Sequence, residues 1–341
     1  MVDLRDDFIS TSPQWFTAWL KYFGGPNARL WQDREGGEQA AIAIQRERAA
    51  IGPFSIAVGC AAANSHTPRF DALGKLGSAS SVERLMRETN VAMLSFPYLS
   101  PQSQLLRMVQ SSGLLHQVEF CEAAPFIDCR GSWDDYWQSR GKSRTEWARR
   151  ERRLVDDQKA RCVLLTEWQE IEPIFEQILA IEASGWKGQE GSAIVQSPQT
   201  LGFYKEMARY WSEAGALRLF VLYIGEQAVA FELNAEYRGV LNCIKHGYDE
   251  ALAKQGPGQV LRIQVLKWAF AQPSVKLFDM YGPETEAKMK WATGVETLQS
   301  LRVFRNSLAG RLAHLRYVGL PKLKRVLKGE GGSPAPQVST L

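Results

Sequence analysis

The chain has 341 residues, 45% of them hydrophobic and 23% charged, with a formal net charge of +4. That length is too great for one small core and predicts two domains, and the composition excludes a disordered or fibrous chain. The small positive excess suits an anionic ligand but falls short of a dedicated nucleic-acid binder, so no DNA partner is expected.

Residues 1–128 are expected to form an α/β domain with a sheet of its own. Pro13-Gln14-Trp15-Phe16-Thr17-Ala18-Trp19-Leu20 has apolar positions at helical spacing. Short apolar runs at 41–44, 55–58 and 91–96, separated by Gly, Pro and Asn, predict strands, with helices at 82–88 and 101–113. Residues 129–159 carry a long charged helix, from Trp133 to Lys159, with Lys142, Arg144, Arg149, Arg150, Arg152 and Arg153. It reads as a bridge between halves, either a solvated face or an anion-binding surface.

A second α/β domain is expected over 160–310. A strand at 162–165 precedes helices at 171–184 and 198–214. Strands at 217–223 and 227–233 flank a tight Gly225-Glu226 connection. A third strand at 239–246 leads through a Gly-Pro-Gly loop to an apolar helix at 259–271 and a strand at 275–281, which makes a βαβ unit. Residues 311–341 are a basic amphipathic segment and a low-complexity tail, the former a candidate for peripheral contact with acidic lipid.

Cys60, Cys121, Cys129, Cys162 and Cys243 are odd in number, scattered and never CxxC, so they predict reduced packing residues rather than disulfides or a zinc site. No metal is expected, and HExxH, Walker and GxSxG patterns are absent. The charged start of the chain and the lack of any run near 20 apolar residues place the protein in the cytoplasm.

The strongest local signal is Lys254-Gln255-Gly256-Pro257-Gly258-Gln259-Val260-Leu261 between a predicted strand and a helix. Gly256 and Gly258 permit unusual dihedrals and close approach, and the helix N-terminus turns its unpaired N–H groups on a pyrophosphate. Gln255, Gly256, Gly258, Gln259, Val260 and Leu261 are therefore the candidate donor-binding residues. A Gly-Pro-Gly turn that only starts a helix has the same pattern.

Several segments in the second half carry a resemblance in order and spacing: Glu182-Ala183-Ser184-Gly185-Trp186-Lys187-Gly188, Phe203-Tyr204, Ile244-Lys245-His246-Gly247-Tyr248-Asp249, the Gly-Pro-Gly loop, Phe278-Asp279-Met280-Tyr281-Gly282 and Lys288-Met289-Lys290-Trp291. Over about residues 130–305 the chain resembles the GNAT acetyltransferases of the cellulose-biosynthesis, CelD/BcsL-like family, and more distantly the Fem-type peptidoglycan aminoacyl transferases. The resemblance implies two tandem GNAT-like domains with mixed central sheets, the first without a complete donor site. It implies acetyl-CoA or another acyl-CoA as co-substrate. The acceptor it implies is an amine, on a small molecule, an amino sugar or an envelope-polysaccharide precursor. No long coiled-coil insertion is present, which disfavours aminoacyl-tRNA as donor.

Amine attack on a thioester needs an oriented donor, a proton acceptor and stabilisation of the oxyanion. Asp279, on the strand after the donor helix, is a candidate base; the alternative is that it braces the Tyr281-Gly282 turn. Glu232, inside an apolar strand, is a second candidate for the site, though alternation also allows it to face solvent. Lys245 and Tyr248 lie where the thioester is expected, while alternation turns His246 to the opposite face and leaves it out. Lys288 or Lys290, beside Trp291, resembles the Fem-type lysine associated with charge stabilisation. Glu182, Trp186, Lys187 and Tyr204 are expected to wall the acceptor cleft, Trp186 either stacking on a sugar or plugging an interface. A non-catalytic GNAT fold serving as a ligand-sensing or membrane-surface adaptor is the reading from a different class.

Overall fold

A computed structural model of the chain describes residues 8–34, 40–184 and 194–321. Two compact units emerge: Ser10–Ala123 with Glu296–Leu341, and Ala124–Val295 with Asp7–Ile9. The chain thus returns to the first unit for its last elements. The linear division into 1–128 and 160–310 lacks this return.

In the first unit, helix α1 (Pro13–Tyr22) starts where Ser12 accepts the Trp15 N–H and Pro13 needs no acceptor, and it buries Trp15, Phe16, Ala18 and Trp19. Strands β1 (Ala28–Asp33), β2 (Ala40–Ile51) and β3 (Phe54–Ala61) form an antiparallel meander. Helix α2 (Ala79–Glu88) then crosses to β4 (Met93–Leu99), which runs parallel to β3. After α3 (Gln104–Gln110), β5 (His116–Asp128) carries the chain into the second unit. The sheet order is β1-β2-β3-β4-β11, where β11 is Gly294–Phe304, antiparallel to β4. Two buried ion pairs lie in this unit: Arg69 meets Glu296 at 3.0 Å and Arg84 meets Asp33.

Asp71 is buried at the start of α3, accepting the N–H groups of Ala72 (2.8 Å), Gln104 (2.9 Å) and Leu105 (3.3 Å). Burial pushes its carboxyl up from the usual 3.8 to about 6 against the pull of those donors. Between about pH 4 and pH 6 the native state therefore holds a proton that the unfolded chain has released, so stability falls as pH rises through that window. Urea midpoints of the wild type and Asp71→Asn, followed across this range, check the assignment. The wild type is expected to lose ground to the variant as pH rises; parallel curves refute it.

The second unit repeats the plan. Helices α4 (Trp133–Ser139) and α5 (Gly141–Arg152) lead to β6 (Arg161–Leu165), α6 (Trp168–Ile171), α7 (Phe175–Ser184) and α8 (Pro198–Glu213). Strands β7 (Leu217–Ile224), β8 (Gln227–Tyr237) and β9 (Val240–Tyr248) extend an antiparallel meander from β6. Gly225, at φ +58°, makes the expected two-residue turn between β7 and β8. Helix α9 (Pro257–Ala271) crosses to β10 (Leu277–Asp279), parallel to β9, and helix α10 (Glu286–Met289) follows. The sheet order is β5-β10-β9-β8-β7-β6, with Phe126–Asp128 of β5 paired to β10.

The charged segment at 133–159 is not one bridging helix. Gly141, at φ +55°, breaks it, and its apolar residues Tyr136, Trp147 and Leu154 join the second unit's core against α9. The five cysteines are free thiols, and burial pushes Cys60, Cys129 and Cys162 up to about 12, as suits packing residues.

Candidate functional site

The site grows from the β9–α9 connection. Gly256 takes a left-handed conformation (φ +71°) as the N-cap of α9, and it brings no side chain to cap the helix. Pro257 has no N–H, while the Gln259 and Val260 N–H groups bond back to the Gly256 carbonyl at 3.0 and 3.1 Å. That leaves the Gly258 N–H at the positive end of a 15-residue helix. A side chain at either glycine would crowd a neighbour. A Cβ on Gly256 would come within 2.8 Å of Arg150, and one on Gly258 within 3.0 Å of the Tyr248 ring.

In front of this turn lies a cleft of about 290 Å³, lined by Tyr248, Gly256, Gly258, Gln259, Arg150, Lys288 and the exposed His246, with the buried Glu232, Arg262 and Met280 also in its wall. Trp147 and Trp291, also in its wall, stack face to face at 3.6 Å. Helix α5 lies along α9: Glu151 accepts from Gln264 and Lys267, each at 2.6 Å, which brings Arg150 onto the Gln259 side chain. Lys288 donates to the Tyr281 and Pro283 carbonyls at 2.6 and 2.9 Å, fixing the loop after β10, and Lys290 pairs with Glu286. Among the charges in the wall, Arg150, Lys288 and Lys290 are basic, and the one acidic residue, Glu232, is already paired with Arg262 at 2.5 Å. Burial pushes the Glu232 carboxyl up, against the opposing pull of Arg262.

Strand geometry opens the cleft toward the sheet. β10 pairs with β9 over Leu277–Asp279 against Val240–Asn242, whereas β9 continues to Tyr248. Beyond that point the chain leaves β10 through Tyr281 (φ +53°) and Gly282 (φ +77°). Asp279 is fully buried and its carboxylate accepts the Tyr281 N–H at 3.1 Å, so it braces this turn rather than lining the cleft. A bulge at Ile244 sets Leu233 opposite Lys245 but Asn234 opposite Cys243. The extra residue reverses the alternation. His246 and Tyr248 consequently face the cleft, and the His246 ring comes within 3.9 Å of the Cys243 sulfur.

Lys245 points the other way. Its ammonium lies 3.5 Å from the buried Glu182 carboxylate and over the Tyr204 ring, and none of the three lines the cleft. Glu182 also accepts the Ile194 N–H at 2.8 Å. Burial, then Glu182, raises the Tyr204 hydroxyl. Val260 and Leu261 are core residues of α9, and Gln255 bonds Gln158. Trp186 and Lys187 lie outside the described residues.

Residues 141–289 match the family described as acetyltransferase (GNAT) domain. That matched stretch lies within the second unit. No curated protein matches the chain in sequence. Among solved structures, similarity extends to a conserved protein of unknown function from Bacteroides thetaiotaomicron VPI-5482, at 10% identity over 85% of this chain and 89% of that one (TM-score 0.55). The C-terminal domain of a putative lysylphosphatidylglycerol synthetase from Agrobacterium fabrum is similar at 12% identity over 89% and 91% (TM-score 0.53). FemX is similar at 9% identity over 85% and 91% (TM-score 0.53). At these identities the likeness shows the fold.

Within the matched stretch, the predicted residues Tyr248, Gly256, Gly258, Gln259, Glu232 and Lys288 come together. His246, Arg262 and Trp147 were not expected in the site. Arg262 had a readable signal, a cation inside the apolar helix α9 just as Glu232 is an anion inside the apolar strand β8. Among the described residues no cluster suits a metal ion.

Proposed function

We propose that the second unit is a GNAT domain that transfers an acyl group from a coenzyme A thioester to an amine. The observation that carries the reading is the uncapped, glycine-lined start of α9, opening on a basic cleft beside diverging strands. An anionic donor suits that place. The Gly258 N–H and the Arg150 guanidinium would take the diphosphate, and the edge of β9 past Asn242 offers main-chain groups to an extended pantetheine arm.

The amine lone pair attacks the thioester carbonyl, and the tetrahedral intermediate expels the thiolate. We assign the proton lost by the amine to His246, which faces the cleft, in preference to Asp279, which is committed to the Tyr281 turn. Tyr248 returns a proton to the thiolate. Burial raises its hydroxyl above the ordinary value, so it is present as an O–H donor to the thiolate. Lys245, Glu182 and Tyr204 pack together on the opposite side of β9, and we assign them no part in the transfer step. We take the acceptor to be an amino sugar or another envelope-glycan precursor, on the strength of the CelD/BcsL-like resemblance.

The basic wall formed by Arg150, Lys288 and Lys290 also suits the phosphates of an aminoacyl-tRNA, the second reading. Calorimetric titration of the full chain with coenzyme A and acetyl-CoA separates the two. Micromolar binding is expected. No heat at millimolar donor, with a steeply salt-dependent association of aminoacyl-tRNA, moves the donor to tRNA; no binding of either leaves a non-catalytic adaptor.

A further inference from the structure

The C-terminal helix of the first unit carries a surface that acyl transfer leaves unexplained. Helix α11 (Leu308–His314) and the wider turn that continues it, Leu315–Gly319, bury Gly310, Ala313 and Val318 against Ile56, Val58, Met93 and Phe304. Its outward side is not polar. Leu308 is 78% exposed, Leu312 39% and Leu315 53%, positions i, i+4 and i+7 that form one stripe along a helix. Single exposed leucines are ordinary on a protein surface, but an aligned row of them is not.

The charges beside the stripe have one sign. Arg311 and Arg316 are exposed on the same helix, to either side of the leucine row by helical angle. The sequence from 297 to 329 contains eight Lys and Arg residues and no Asp or Glu, with Lys322, Lys324, Arg325 and Lys328 following directly. A leucine row flanked by cations fits the boundary between anionic headgroups and acyl chains, where the apolar face is buried and the cations meet phosphate. No described helix is long and apolar enough to cross a membrane, so contact would be peripheral. A protein partner of ordinary surface would meet the row without answering this one-signed charge.

We propose that Leu308, Leu312 and Leu315, with the cations around them, dock the protein on an anionic lipid surface. The inference is independent of the acyl-transfer reading, since none of these residues belongs to the second unit.

Flotation of the full chain with vesicles of phosphatidylglycerol and phosphatidylcholine in equal parts, and of phosphatidylcholine alone, tests it. The chain is expected to float with the anionic vesicles and at least tenfold less with the neutral ones. Leu308→Ser/Leu312→Ser/Leu315→Ser, whose exposed sites leave the fold intact by circular dichroism, is expected to weaken flotation tenfold or more. Arg311→Ser/Arg316→Ser is expected to weaken it in low salt and to matter less in high salt. Equal flotation of the leucine variant and the wild type overturns the proposal, as does no flotation at all. A dimer seen by light scattering that the leucine substitutions abolish, without lipid binding, overturns it in favour of self-association.

Discussion

Glu232→Ala is expected to destabilise the second unit by about 3–5 kcal/mol, among the larger effects for a single substitution in this chain. Glu232 in β8 and Arg262 in α9 are both buried and meet at 2.5 Å, and Arg262 also contacts the Cys243 sulfur at 3.4 Å. Removing the carboxylate leaves a guanidinium that is always charged inside a core with no counter-ion. Glu232→Gln, which keeps an acceptor but not the charge, is expected to fall between. The double substitution Glu232→Leu/Arg262→Met removes both charges at similar volume and is expected to recover most of the loss. The unfolding midpoint of the second unit, followed by the fluorescence of its stacked Trp147–Trp291 pair, reads all three. A wild-type midpoint for the alanine variant would show the pair to be dispensable.

Gly258→Val is expected to weaken coenzyme A binding by about 100-fold, roughly 2.7 kcal/mol, while leaving the fold nearly unchanged. Its backbone is ordinary helix, so the substitution carries no left-handed penalty. The new Cβ would meet the Tyr248 ring at 3.0 Å, and the branched side chain would occupy the space a diphosphate needs. Gly256 is the poorer probe, because φ +71° and the contact with Arg150 make a side chain costly to folding itself. Calorimetric dissociation constants for wild type and Gly258→Val decide the matter: equal constants in a folded variant remove this turn from the donor site.

Much of this was legible locally. The two strands around Gly225, the apolar helix after Pro257 and the glycines at its start are patterns within a dozen residues. β5 was missed because Pro125 interrupts its alternation, and β11 because its pairing partner β4 lies about 200 residues earlier. His246 was left out because Lys245 was read as facing the cleft; the alternation between the two neighbours holds, but it turns His246 and Tyr248, two residues apart, to the cleft and Lys245 away from it. Glu232 stood out as a charge in an apolar strand and Arg262 went unread in its apolar helix; their pairing across 30 positions is a property of the fold. Asp279 was expected within a strand over 275–281 and is the last residue of the shorter β10, and its hydrogen bond to Tyr281 matches the alternative that it braces the Tyr281-Gly282 turn.

The return of the chain to its first unit has a consequence for synthesis. Vectorial translation ordinarily lets an N-terminal domain fold while the rest is still being made. Here β4 waits for β11, so its edge stays unpaired until Phe304 has left the ribosome. The second unit, whose elements end at Val295, has all its strands sooner. The unit whose strands begin first is therefore finished after the other, and a nascent chain carries an open strand edge, open to association with other chains, for about 200 residues of its elongation.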